Sequence, residues 1–418
     1  MLNARTERLL LCLLAAIQFT AILDFLIVLP LGPQYMRIMG ISPAQFGFMV
    51  SAYAISAGVA GIVGGFFLDY FDRKLALLIL YAGFAIGTLW CALATSFPLL
   101  VAGRIVAGAF GGLTGALILA IIGDVIPENR RGAAMGWIMS SFSLASVGGV
   151  PLGLYLAATF NWHAPFFALA LGSALILVAT AAVMPSLRAH LLSGVDERPV
   201  ARMLATLAEK NHQMALLFMF VLTFAGALIF PYIPTYMEVN VGLTDGQLSW
   251  IYLAGGACTL VTLNWIGRWA DRAGKFRVYA LVSMAATVPI LTLTNLPRWP
   301  VAAAVGLTTL FMICMSGRAV PAMAMITATV RPRYRGGFMS ANSSVQQFAA
   351  GIATFLSGMI LGQTPRGELA HFPTVGLISA PCCVAGIFLA RYLKPVEAPT
   401  GLGPAQEKMP VATVGLEV

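Results

Sequence analysis

The chain has 418 residues, of which 59% are hydrophobic and only 10% charged, and it carries a formal net charge of +9. Soluble domains carry about 25% charged residues, so this sequence lacks the polar surface to coat a water-soluble globule. The positive balance would suit a nucleic-acid binder, but the placement of the charges, described below, excludes that reading.

Twelve apolar stretches are long enough to cross a ~30 Å hydrocarbon core as helices. They lie near residues 9–30, 44–69, 75–96, 98–123, 134–158 and 163–185, then 213–236, 247–267, 277–296, 301–329, 337–361 and 373–393. Only helices or closed barrels satisfy the backbone in lipid, and these runs are too long and unbroken for alternating barrel strands. The first stretch carries Asp24 and leads into eleven more, so it is expected to be a retained helix and not a cleaved signal. All six cysteines fall inside predicted spans, which argues for packing residues and against a disulfide framework or a zinc site.

Twenty of the 25 Lys and Arg residues fall on one side of this topology, three on the other, and two (Arg104 and Arg318) inside spans. Positive residues are retained in the cytoplasm, so both termini are expected there. The basic balance sets orientation, and no nucleic-acid partner is expected.

The sequence repeats itself. At a shift of 202 residues, Gly40-Ile41-Ser42-Pro43-Ala44-Gln45 lies on Gly242-Leu243-Thr244-Asp245-Gly246-Gln247, and without a gap Gly65 meets Gly267, Asp69 meets Asp271 and Arg73 meets Lys275. At a shift of 205, Pro127, Arg130 and Gly132 meet Pro332, Arg335 and Gly337. Parallel repeats of six spans are a signature of secondary transporters. The predicted organisation is an all-α membrane protein of two pseudo-symmetric six-helix halves, residues 1–185 and 213–394. A cytoplasmic linker (186–212) joins them, and a disordered cytoplasmic tail (395–418) follows. Ser42/Gln45 and Thr244/Gln247 have capping-box spacing and start a helix at corresponding points of the two halves.

The segment Gly65-Phe66-Phe67-Leu68-Asp69-Tyr70-Phe71-Asp72-Arg73-Lys74 resembles the loop 2–3 signature of the major facilitator superfamily, and Gly267-Arg268-Trp269-Ala270-Asp271-Arg272-Ala273-Gly274-Lys275 is its second copy. The first copy departs from the pattern at Tyr70, usually basic, and at Asp72, usually glycine. Arg104-Ile105-Val106-Ala107-Gly108 resembles the fourth-helix motif of drug:proton antiporters. Gly149-Val150-Pro151-Leu152-Gly153, followed by Asn161-Trp162-His163, is similar to the fifth-helix motif of the branch holding arabinose and other sugar exporters. The resemblance implies a major facilitator fold, alternating access and a bacterial inner membrane. It also implies a cytoplasmic gate formed by Gly65, Asp69, Arg73, Asp124, Gly267, Asp271, Arg272 and Lys275. A charged loop that only sets topology is the plainer alternative for these residues, and tight packing is the plainer one for Gly149, Pro151 and Gly153.

Charges at the bilayer centre are functional candidates by default. Asp24 lies about 15 residues, or ~22 Å, into its span, and Arg104 enters about 7 residues, or ~10 Å, from the opposite face. Both therefore sit at a similar depth, and their partners in the repeat, Gly226 and Thr309, are uncharged. The pair is expected to carry the coupled proton, with a static tie between two helices as the alternative. Arg318 falls near the midplane with no acid at its depth in its own half. Asp24, a backbone carbonyl (near Pro321, for example), water or a substrate anion are its possible partners. Gln18, Tyr53, Gln346, Gln347 and, a turn nearer the cytoplasm, Asn342 complete the candidate substrate-binding set. Tyr232 and Tyr236 are candidates for an outer gate.

No phosphate-binding glycine loop, catalytic cluster or metal-ligand grouping is present, so no enzyme activity and no cofactor is expected. The leading expectation is a monomeric, proton-driven transporter that exports a small organic molecule. Uptake or facilitated passage of an organic anion centred on Arg318 is the first alternative, and a non-transporting receptor or assembly subunit is the second.

Overall fold

The computed structural model describes residues 4–188, 207–331 and 335–396. The linker segment 189–206 and the tail from 397 lie outside the described residues. The first block contains α1 (Ala4–Ile27), a short α2 (Gly32–Met39), α3 (Pro43–Phe67), α4 (Arg73–Leu93) and α5 (Phe97–Val125). It continues with α6 (Glu128–Leu144), a π-turn, α7 (Val150–Thr159) and α8 (Ala164–Val183). The second block contains α9 (Lys210–Ala227), α10 (Ile233–Tyr236), α11 (Asp245–Ala273), α12 (Lys275–Thr294), α13 (Val301–Ala328), α14 (Arg335–Ile360) and α15 (Phe372–Arg391). A small antiparallel hairpin, β1 (Gly362–Gln363) with β2 (Leu369–Ala370), precedes α15. Among the described residues, ten helices are long and apolar enough to cross a bilayer; α11 and α14 are as long but more polar.

The repeat is visible in the local geometry. Gly40 and Gly242 both adopt left-handed conformations, at φ 65° and 92°, which glycine adopts without steric cost. Each is followed two residues later by a capping residue. Ser42 Oγ accepts from the Gln45 N–H, and the Ser42 N–H donates to Gln45 Oε1 at 2.9 Å. The Thr244 N–H donates to Gln247 Oε1 at 3.0 Å in the second copy. Orphan amides at both helix starts are thereby satisfied.

Two spans are broken. Between α6 and α7 the chain makes a π-turn at Ala145–Gly149, directly before Pro151. Proline lacks an N–H and crowds the preceding turn, and widening that turn relieves the clash. Gly149 and Gly153 face α1: a Cβ on Gly149 would come within 2.8 Å of Leu23, and one on Gly153 within 2.4 Å of Ile27. The other break follows α9, where a 3₁₀ turn (Phe230–Tyr232), α10 and a π-turn (Met237–Val241) replace a continuous helix. Pro231 and Pro234 lie in this stretch.

Hydrogen bonds sort the connections onto two faces. One, the basic face, joins Asp72 to residues 186–188, Arg130 to Glu7, and Asn211 to Thr329 and Lys394. The other joins His163 to Ala92, Tyr236 to Leu296 and Asn240 to Leu369. The apolar core follows this division. Toward the basic face it is split, with one cluster drawn from residues 10–184, another from residues 215–390 and a small third from Ile266, Ala270, Val278 and Val282. At the opposite face a single cluster merges both blocks, from Leu23, Tyr35 and Phe46 to Tyr232, Leu248 and Phe372. The blocks also meet along α3 and α14, where Gly58, Gly61 and Gly351 allow close approach.

Glycine spacing also fixes α5 against α3. A Cβ on Gly108 would lie 2.3 Å from the Tyr53 carbonyl oxygen, a backbone atom that cannot move aside. Gly136 of α6 is exposed, with nothing within 4 Å of such a Cβ. We expect Gly108→Ala to lower stability by about 1–3 kcal/mol through overpacking and Gly136→Ala to be neutral or mildly stabilising. Thermal unfolding of the purified variants in detergent measures this, and equal midpoints would contradict the α3–α5 approach.

Candidate functional site

Asp24 on α1 and Arg104 on α5 form an ion pair with both side chains 0% exposed. Arg104 Nη1 donates to Asp24 Oδ2 at 2.6 Å and to the Asp24 carbonyl at 3.2 Å. Thr88 of α4 donates to Asp24 Oδ1 at 3.1 Å. The guanidinium carbon lies 4.2 Å from the centre of the Tyr53 ring on α3, a cation–π contact strengthened by desolvation. The motif explains this arrangement: Gly108, one turn beyond Arg104, draws α5 onto the Tyr53 backbone and so sets the ring beside the guanidinium.

The structure thus brings together Asp24, Arg104 and Tyr53 from the sequence-derived set. Thr88 and Tyr35 were missed. Tyr35 is fully buried at the end of this cluster nearer the merged core, packed edge-on against Trp162 at 5.2 Å, and its hydroxyl has no partner among the described residues. A buried threonine within an apolar span was the available signal for Thr88. Gln18 is half-buried beside Gly115, Gln347 is half-buried and Gln346 is exposed, and none of the three makes a hydrogen bond among the described residues. Asn342 is 2% exposed, with Oδ1 unpartnered.

Arg318 on α13 is 2% exposed and turns toward α9 and α15. Nη2 donates to the Leu222 carbonyl at 2.7 Å and Nη1 to Cys383 Sγ at 3.1 Å. Of the partners considered from the sequence, a backbone carbonyl is the one present, supplied by α9 and not by the turn near Pro321. No carboxylate bonds to Arg318 among the described residues, so Asp24 serves Arg104 alone.

The two blocks are bolted together at the face opposite the basic one. The Tyr232 hydroxyl contacts the carbonyl oxygens of Pro43 and Thr354, both at 3.2 Å. Gly47 and Gly358 make room for it, since a Cβ on either would fall within 2.5 Å of that hydroxyl. Arg37 pairs with Glu238 at 3.2 Å and Gln363 reaches Met36. Asn240 holds the hairpin by bonding the Leu369 N–H and carbonyl, at 2.9 and 3.0 Å.

At the basic face, Arg73 Nε pairs with Asp124 at 2.9 Å and Arg73 Nη1 donates to the Leu68 carbonyl. The surroundings of Gly65 and the side chain of Asp69 lie outside the described set. In the second copy Gly267 is half-buried, and Asp271, Arg272 and Lys275 are exposed with no hydrogen bond or ion pair among the described residues. The copies therefore differ, although the second matches the motif better. Asp72, the departure from the motif, is the N-cap of α4, accepting from the Lys74 N–H at 2.9 Å. It also accepts from Ser186, from the Leu187 N–H at 3.1 Å and from Arg188 Nε at 3.0 Å. Partial burial opposes its ionisation, but these hydrogen bonds outweigh that and hold its carboxyl well below the usual carboxylate range.

The two-block architecture and its motifs agree with sequence comparison. The sequence profile of the Major Facilitator Superfamily matches residues 14–239 and again residues 215–416. The chain belongs to the Major Facilitator Superfamily. The MFS-type transporter YceJ of Bacillus subtilis (strain 168), itself uncharacterized, is 25% identical over 369 residues, covering 86% of this chain and 91% of that protein. AraJ of Escherichia coli (strain K12) is 26% identical over 259 residues, covering 61% and 64%. Among solved structures, a D-xylose–proton symporter superposes with a TM-score of 0.76 at 15% identity, covering 94% of this chain and 98% of that one. The nucleoside transporter NupG gives 0.74 at 15% identity, covering 92% and 99%. At these identities the structural likeness establishes the fold alone. This superfamily member is a multi-pass secondary transporter of small molecules, and not an enzyme.

Because the folded-state pKa of Asp72 is lowered, its contribution to stability is present above its unfolded value of about 3.9 and is lost as pH falls through the folded value. We expect wild type to be more stable than Asp72→Asn at neutral pH, and the difference to shrink only below about pH 4. Unfolding midpoints of both proteins across pH measure this. A difference that vanishes already near neutrality would show that the carboxylate makes no such tie.

Proposed function

We propose that the chain is a proton-coupled transporter that exports a small organic molecule by alternating access. The observation that carries this reading is the fully buried Asp24–Arg104 pair, which has no charged counterpart at Gly226 and Thr309 in the other half. A scaffold element would be expected in both halves; a coupling element needs only one copy.

Ionised, Asp24 is neutralised by Arg104 and accepts from Thr88. Protonated, it no longer balances the guanidinium, and the positive charge left beside Tyr53 favours rearrangement of α1 against α5. The proton cycle would thus bias one state over another. One charge moving through 100 mV gains about 2.3 kcal/mol, which sustains a roughly 50-fold gradient at ~1.4 kcal/mol per decade. No cofactor is required; the proton gradient supplies the energy.

The remaining features fit this scheme. In this reading α11 and α14 cross the membrane as well, giving twelve spans, and the basic face lies in the cytoplasm of a bacterial inner membrane with both termini on that side. The merged core and the Tyr232 bolt then close the outer side, and the split cores open the inner side, an inward-open state of a monomer. The gate would work through Arg73 and Asp124 in the first half, with Asp271, Arg272 and Lys275 engaging only when the inner side closes. Residues 186–212 form the cytoplasmic linker and 395–418 the tail. Export is supported by the likeness of the fourth- and fifth-helix motifs to those of antiporters and sugar exporters.

The test is purified protein in liposomes containing a pH-sensitive dye, challenged in turn with lipophilic cations, sugars and organic anions. We expect one class to evoke proton movement in wild type, and Asp24→Asn to lose it along with uphill accumulation while still folding. Substrate flux with no proton movement in wild type, or uphill transport by the variant, would reduce Asp24–Arg104 to a structural tie.

A further inference from the structure

We infer that Arg318 and Gly226 form a binding site for a carboxylate-bearing organic substrate. This rests on the reading of the chain as a transporter whose ligand binds between its spans, and it assigns the ligand class.

The argument starts from the donors. A guanidinium carries five N–H groups and always bears its charge. Arg318 uses one on the Leu222 carbonyl and one on Cys383 Sγ, and its Nε is buried with no partner among the described residues. Among the described residues three N–H groups therefore have no acceptor, and neither the carbonyl nor the thiol neutralises the charge. A buried cation with no counter-charge is costly to retain for structure alone. A carboxylate meets this need directly, taking two parallel N–H bonds from the planar fork.

Gly226 marks where that carboxylate sits. It holds the position that Asp24 holds in the first half. A Cβ built on Gly226 would meet Arg318 Nη2 and Met315 Sδ, both at 3.7 Å, ordinary contact distances, and nothing closer. Arginine and space for an acid are thus adjacent, as in the Asp24–Arg104 pair, but in this half the chain supplies no acid. Gly226 is half-buried and lies in the last turn of α9, just before the broken segment carrying Tyr232. Interrupted helices with freed backbone groups are where transporters of this kind place substrate sites. Asp24 is neutralised by Arg104, and no carboxylate bonds to Arg318 among the described residues, so the fixed charge facing a ligand here is positive, which disfavours organic cations.

The experiment uses purified full-length protein and its unfolding midpoint. Acetate, hexanoate and benzoate are added at matched millimolar concentrations, with benzamide and benzyltrimethylammonium as neutral and cationic controls. At least one acid is expected to raise the midpoint, as a ligand of the folded state must, and the controls are not. Gly226→Asp, which supplies the acid in the chain itself, is expected to be more stable than wild type without ligand and to lose the response. Arg318→Gln, which removes the charge and the fork, is expected to lose the response, and it decides the matter should the Asp variant fail to fold: an undiminished response in folded Arg318→Gln would overturn the site. No response to any acid, an equal response to benzamide, or an undiminished response in a folded Gly226→Asp protein would overturn the site. Asp24→Asn is expected to keep the acid response. Proton coupling can therefore fail while this site stands, and the site can fail while coupling stands.

Discussion

A charge pair that no water reaches is the constraint around which the first half is organised. Asp24 and Arg104 are both fully buried and 2.6 Å apart. Removing one leaves the other uncompensated at a cost of roughly 3–5 kcal/mol. The pair therefore dictates its surroundings. Helix α1 must lie against α5, Thr88 must face inward to serve the second carboxylate oxygen, and Tyr53 must cover the guanidinium. The glycines of α5 are what permit α3 and α4 to come near enough. A buried pair is weak evidence of stability; in the proposed cycle its value lies in a charge state that one proton changes.

The second half answers the same physical problem differently. Arg318 is as deeply buried but is held by a carbonyl and a thiol, with no acid. The two halves thus share a fold while dividing the chemistry, one carrying a neutralised pair and the other a fixed positive charge. Divergence extends to the loops. Arg73 is engaged with Asp124 and Asp72 anchors residues 186–188, whereas Asp271, Arg272 and Lys275 stand exposed. The position matching Asp124 in the second half is Thr329, so a corresponding ion pair has no acid to form with. Fit to a motif and engagement in the structure are separate properties, because a motif records residue types and an ion pair needs a partner from another helix.

The sequence was most legible where the bilayer left few options. With no water to satisfy backbone groups, apolar runs of this length had to be helices; each predicted run coincides with helical segments, but α6 begins six residues early, α11 ends six residues late and the run at 213–236 is interrupted after Ala227. The internal repeat and the capping boxes were readable because they depend on neighbours three residues apart, and the paired left-handed glycines lie within the same repeat. Asp24 and Arg104 stood out because charge in an apolar span is rare, and depth counting from opposite faces brought them to one level. Less legible were the interruptions at Ala145–Gly149 and Phe230–Val241, whose prolines signal a break but not its geometry, and the short hairpin ahead of α15.

Sequence alone therefore determined the solvent, the helical class, the two-fold repeat and the rarity of the buried charges. All of these follow from local composition, periodicity and spacing along one chain. Tertiary structure alone decided which charges meet. It gave Arg104 an acid and Arg318 none, set Tyr232 between the Pro43 and Thr354 carbonyls, and joined the apolar cores at one face while dividing them at the other. Those outcomes depend on the rotation and crossing of helices far apart in sequence. That geometry is set by small residues at individual contacts, and no window of the sequence contains both sides of such a contact.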